Sequence, residues 1–180
     1  SVSDKSWFVT SRRISPLPSS VVRASPPPVR ATGAAPIILT GVMGAADQRR
    51  FDALRRLHYP ADRNQVPAHI TLFHHLAPSV LPELCDMMRQ MAASHAAPRA
   101  ELAELMSLGK GTAFRVHSPD LLDMRAEIAD HFYGMMAQQD QAIPRLHITV
   151  QNKVTRQEAA DLQRDLAREF CSRPLQITGL

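Results

Sequence analysis

The apolar patterning of this chain predicts an α+β fold built from two related lobes, and three observations carry that prediction. Runs with strand spacing and runs with helical spacing succeed one another from Pro36 onward. Two short segments resemble each other closely: Pro67, His69, Ile70 and Thr71 in one, Pro144, His147, Ile148 and Thr149 in the other. In each, a proline stands just before a His-Ile-Thr strand, and a helical pattern comes after it. Finally, Gly109-Lys110-Gly111 separates two apolar runs and marks a hairpin.

The first element is a continuous apolar run at positions 37–43, bounded by Pro36 and Gly44, the pattern of a buried strand. Asp47 opens a helix with Phe51, Leu54 and Leu57 on its inner face, ending before Pro60. A polar loop over 61–67 leads to a strand over 69–74. A second helix over 82–93 puts Leu84, Met87, Met88 and Met91 on one side. The hairpin occupies 100–117. A third helix runs over 120–137 with Leu121, Met124, Ile128 and Phe132 inward, and Met135 and Met136 fill the core at its end. The second triplet lies on a strand over 146–151. Thr155 and Glu158 form a capping box for a fourth helix over 155–170, and a short edge strand over 175–178 comes last, with the natural chain expected to continue if that edge is not simply short.

Composition narrows the class. A length of 180 residues with 44% hydrophobic and 21% charged residues is that of a globular chain with one sizeable core. Residues 1–35 stand apart as a Pro/Ser/Arg-rich segment without apolar period, expected to be a disordered tail, so that 36–180 is the folded domain. No apolar run reaches membrane-spanning or signal-peptide length, so a soluble, cytoplasmic protein with no membrane partner is expected. Cys85 and Cys171 lack metal or disulfide spacing and are expected as reduced, buried thiols. A net charge of +4 and a pI near 9.6 give a modest basic bias that suits a polyanionic ligand.

The chemistry centres on the two triplets. Residues two apart on a strand share a face, so His69 projects with Thr71 and His147 with Thr149. If the lobes are related by a twofold axis, four polar side chains converge on one groove. Imidazole titrates near neutrality, so one ring can accept a proton while the other donates one. The hydroxyls can hold phosphate oxygens. A polar pair on one face of an otherwise apolar strand also needs partners, which a ligand cleft supplies.

These motifs resemble the 2H phosphoesterase superfamily, the 2'-5' RNA ligase-like proteins and cyclic phosphodiesterases, over 36–180. The resemblance implies two pseudo-symmetric lobes of antiparallel sheet with flanking helices around a central cleft, and no required metal or cofactor. It makes His69 and His147 the acid and base, and Thr71 and Thr149 the hydrogen-bond donors to the phosphate oxygens. It implies opening of RNA-derived 2',3'-cyclic or 2'-5' phosphodiesters, or the reverse ligation of RNA ends. The expected partners are RNA ends or small cyclic and 2'-5' nucleotides, and the expected unit is a monomer. The residues after each triplet, His74-His75 and Gln151-Asn152-Lys153, depart from the family pattern and leave the substrate open.

Other readings are weaker. His69, His74, His75 and His147 could form a metal cluster, but strict alternation points His74 away from His69, and no acidic ligand run accompanies them. Gly109-Lys110-Gly111-Thr112 lacks the first glycine of a phosphate-binding loop, Glu104 standing there. Arg115, Arg145 and Lys153 are the basic residues placed to touch a phosphate or RNA end; Phe73 and Phe114 are candidates to stack on a base, with core packing as their default. The rival class is a non-catalytic RNA- or nucleotide-binding module.

Overall fold

A computed structural model describes residues 35–180; the expected tail therefore falls, apart from Ala35, outside the described residues. Six strands and four α-helices alternate: β1 (Ile37–Met43), α1 (Ala45–His58), β2 (Ile70–Leu76), α2 (Leu81–Ser94), β3 (Arg99–Ser107), β4 (Gly111–His117), α3 (Pro119–His131), β5 (His147–Asn152), α4 (Arg156–Ala167) and β6 (Arg173–Gly179). The strands close into one antiparallel ring in the order β1-β2-β5-β4-β3-β6.

The ring makes the internal repeat explicit. Each half of the chain has the order strand, helix, strand, helix, strand, and exchanging β1, β2 and β3 with β4, β5 and β6 maps the ring onto itself. The two triplet strands meet on that axis. Their single registered pair joins Ile70 to Ile148, the central residues of the two triplets.

Helices cover one face of the strands. Phe51 of α1 packs edge-on to Phe114 of β4 at 5.2 Å, and Phe114 meets Phe170 at 5.8 Å. Ile70, Leu72, Ile148 and Val150 lie in the same buried cluster. Phe73 and Phe114 belong to it as well, so they are core residues and not base-stacking platforms.

Several boundaries move for local reasons. α3 stops at His131, six residues short of the expected end, because Gly134 takes φ +83° and turns the chain out of the helix. Met135 is consequently 52% exposed in the connection and fills no core. In α1, Leu57 is exposed while Arg55 is buried: the inner stripe runs from Phe51 to Arg55, one turn apart, and leaves Leu57 outside. β6 is longer than expected and is no edge, since β1 and β3 flank it. Cys171 is exposed in the turn after α4, contrary to the buried thiol expected, and Cys85 is half-buried; both are free.

Candidate active site

Each triplet histidine is held at the start of its strand. Ala68, just before His69, donates its amide to Asp52 at 2.7 Å, and its carbonyl accepts from Gln48 at 2.8 Å, both from α1. Leu146, just before His147, accepts at its carbonyl from the Val116 amide at 2.9 Å. The imidazoles are then fixed in the same way. His69 Nδ1 lies 2.8 Å from the Pro67 carbonyl and His147 Nδ1 lies 2.7 Å from the Arg145 carbonyl. A carbonyl only accepts, so Nδ1 carries the proton in both rings. Nε2 is left without a hydrogen-bond partner among the described residues.

Burial alternates through both strands. Ala68, Ile70 and Leu72 are buried while His69 and Thr71 are half-exposed; Leu146, Ile148 and Val150 are buried while His147 and Thr149 are half-exposed. The four polar side chains therefore occupy the face opposite the helices. Two concavities of about 160 and 610 Å3 lie elsewhere, lined by residues around Phe170 and around Pro174.

Neighbouring strands extend this face. Arg115 stands opposite His147 in the β4–β5 register, so their side chains lie side by side. Thr40 stands opposite Thr71. Arg145 is exposed and serves His147 through its carbonyl. Lys153 lies just past β5 with φ 62°, its amide bonded to Asn152 Oδ1 at 2.8 Å. Of the three basic residues expected near the phosphate, Arg115 alone is placed beside a triplet histidine by strand register.

Two buried arginines join the site that the motifs alone do not point to. Arg55 of α1 reaches across to β5, donating to the Thr149 carbonyl at 2.9 Å and to Asn64 Oδ1 at 3.0 Å, with its guanidinium 4.3 Å over the Tyr59 ring. Arg125 of α3 reaches across to β2, donating to the Leu72 carbonyl at 3.0 Å. α1 and α3 are equivalent in the two halves, so each sends an arginine to the triplet strand of the other half. Burial lowers both guanidinium pKa values, although arginine stays charged. A signal for them exists in the sequence: each arginine interrupts an apolar stripe at core spacing, after Phe51 in α1 and between Leu121 and Ile128 in α3.

Charge around His69 is unfavourable to its protonation. Burial is the largest cause of its lowered pKa; the Pro67 carbonyl opposes it, and Arg55, His147 and His74 add repulsion. Among the described residues no group of three or more His, Cys, Asp or Glu is arranged to hold a metal ion. No described helix is long and apolar enough to cross a membrane.

No curated protein matches the chain. The sequence profile of the 2'-5' RNA ligase superfamily matches residues 44–180, a span containing both triplets. On that match the chain belongs to the 2'-5' RNA ligase superfamily, which is the 2H phosphoesterase superfamily.

Proposed function

We propose that this protein is a metal-independent phosphoesterase that opens RNA-derived 2',3'-cyclic or 2'-5' phosphodiesters with His69 and His147 as its proton-transfer pair. Superfamily membership carries phosphoesterase or RNA-ligase-like activity in the broad sense, with RNA or nucleotide substrates. The observation that carries the finer reading is the matched pair of imidazoles. Equivalent histidines flank the one registered pair between β2 and β5, each with Nδ1 tied to the carbonyl two residues earlier and a threonine beside it.

The chemistry rests on that arrangement. Water attacks phosphorus in line with the leaving ribose oxygen. His69, kept from protonation by burial and by the Arg55 cation, takes the water proton at Nε2. His147 delivers a proton from Nε2 to the leaving oxygen as the P–O bond breaks. Thr71 and Thr149 donate hydroxyl hydrogens to the non-bridging oxygens, and Arg115 beside His147 offsets the developing negative charge. The same transfers run backward join RNA ends, so ligation needs no other residues. The working unit in this reading is residues 36–180, acting as a monomer without a cofactor, and the free thiols Cys85 and Cys171 suit a cytoplasmic setting.

The test is turnover of nucleoside 2',3'-cyclic monophosphates and a 2'-5' linked dinucleotide from pH 5 to 9 in excess chelator. Bell-shaped activity that survives chelation supports the reading. Activity abolished by chelator refutes metal independence, and RNA binding without turnover of any substrate favours the binding-module alternative.

A further inference from the structure

His74 lies three residues beyond Thr71, where strict alternation sets it on the core face. The strand does not alternate strictly. Thr71 faces Thr40 while Phe73 faces Leu39, so β2 carries one extra residue against β1 there, and a second before Leu76, which faces Ile37. Leu72 and Phe73 are both buried, as two side chains at a bulge are when they lean to the same side. With Phe73 and Leu76 both buried, the two residues between them are both exposed, and His74, following the inward Phe73, returns to the face of His69 and Thr71. His74 is exposed there, and its charge reaches His69.

The ring is not free to wander. Asp140, in the connection between α3 and β5, has a side chain only 1% exposed. Its carboxylate accepts the His74 amide at 2.9 and 3.1 Å and the His75 amide at 2.7 Å. It also takes His74 Nδ1 at 3.2 Å, while the His74 side chain remains 52% exposed. The two amides reach both carboxylate oxygens, so each oxygen keeps a partner without the imidazole. When the ring carries both protons, Nδ1–H stays on Asp140 and Nε2–H is free to meet an anion.

The other half of the molecule lacks this group. β5 has the matching bulge, with Thr149 opposite Ala113 and Gln151 opposite Thr112. Five residues past each triplet histidine, His74 in β2 corresponds to Asn152 in β5. The face is symmetric in its histidines and threonines but carries this extra imidazole on the β2 side alone. An asymmetric contact of this kind distinguishes the two ends of a substrate.

We propose that His74, clamped by Asp140, is an anion contact for a second phosphate of the substrate, so the site prefers an RNA end or dinucleotide carrying a phosphate beyond the one being hydrolysed over a lone cyclic mononucleotide. This inference rests on the phosphodiester reading above. Its test is calorimetric titration of the parent and of His74→Ala with a nucleoside 3',5'-bisphosphate and with the nucleoside 3'-monophosphate, which needs no turnover. The parent binds the bisphosphate about tenfold more tightly, the worth of one charge-assisted contact. His74→Ala brings that ratio within about twofold, and His74→Lys, which restores a cation, recovers part of it. His74→Gln, which keeps a donor toward Asp140, replaces the alanine variant if that variant melts early.

Equal binding of the two nucleotides by the parent overturns the inference, and so does a preference that survives in His74→Ala. Cyclic phosphate turnover that persists alongside either of those results leaves the phosphodiester reading standing. A parent that binds neither nucleotide and turns over no phosphodiester sinks both.

Discussion

Replacing Arg125 by methionine tests how the two halves are locked together. The guanidinium donates to three main-chain carbonyls: Leu72 at 3.0 Å, Ala142 at 3.1 Å, and Asp140. It also sits 4.5 Å over the Phe73 ring, and the residue is only 5% exposed. Methionine keeps most of the apolar stem but none of the donors. Each buried carbonyl left unpaired costs about 1–3 kcal/mol. Relief of guanidinium desolvation works the other way, leaving a net loss of about 3–5 kcal/mol. That is a large share of the roughly 5–15 kcal/mol available to a domain. Urea denaturation reads it as a lower midpoint with an unchanged slope, and at about 2–4 °C per kcal/mol the melting temperature falls by about 6–20 °C. A loss under about 1 kcal/mol refutes the reasoning, because it means the carbonyls find water once the arginine is gone.

Three further outcomes rest on particular contacts. By NMR titration His69 protonates below the ordinary imidazole range, and Arg55→Met moves it upward, since a repelling cation is removed while burial remains; no movement means that Arg55 does not act on the ring. Because the folded value is lowered, the unfolded chain binds this proton first. Stability attributable to His69 is thus intact above about pH 6.5 and declines as pH falls toward the folded value, and His69→Gln flattens that slope in denaturation curves measured between pH 5 and 7. Gly111→Ala places a Cβ against the Gln151 carbonyl oxygen and 2.7 Å from Asn152 Cα, main-chain atoms that cannot swing aside. A destabilisation of about 1–3 kcal/mol is expected, and hydrogen exchange should report it as faster opening of the β4–β5 pair; unaltered exchange contradicts the close approach.

Much of the architecture is legible in the sequence because hydrophobic period and turn residues agree with each other. The apolar run between Pro36 and Gly44 marks β1 with its observed bounds, and Gly109 and Gly111 frame the hairpin. The matched triplets disclose the repeat that the ring displays. Single-residue irregularities are not legible. The bulge at Leu72 and Phe73 reflects how β2 pairs with β1, and no local pattern announces it; alternation alone therefore puts His74 on the wrong face. Ring closure is hidden for the same reason, since strand pairing across the chain leaves no local mark on β6. Arg55 and Arg125 stand out as charges at core positions, although their partners, main-chain carbonyls in the opposite half, have no sequence signature.

The central claim is that His69 and His147 act as one proton-transfer pair, and its most direct measurement is kcat for cyclic phosphate hydrolysis by His69→Ala, His147→Ala and the double variant. Each single substitution is expected to lower kcat by about 100-fold or more with the fold retained, and the double variant to be little worse than either, because removing one partner already disables the pair. Losses that multiply in the double variant, or a single variant that keeps most of the activity, contradict it.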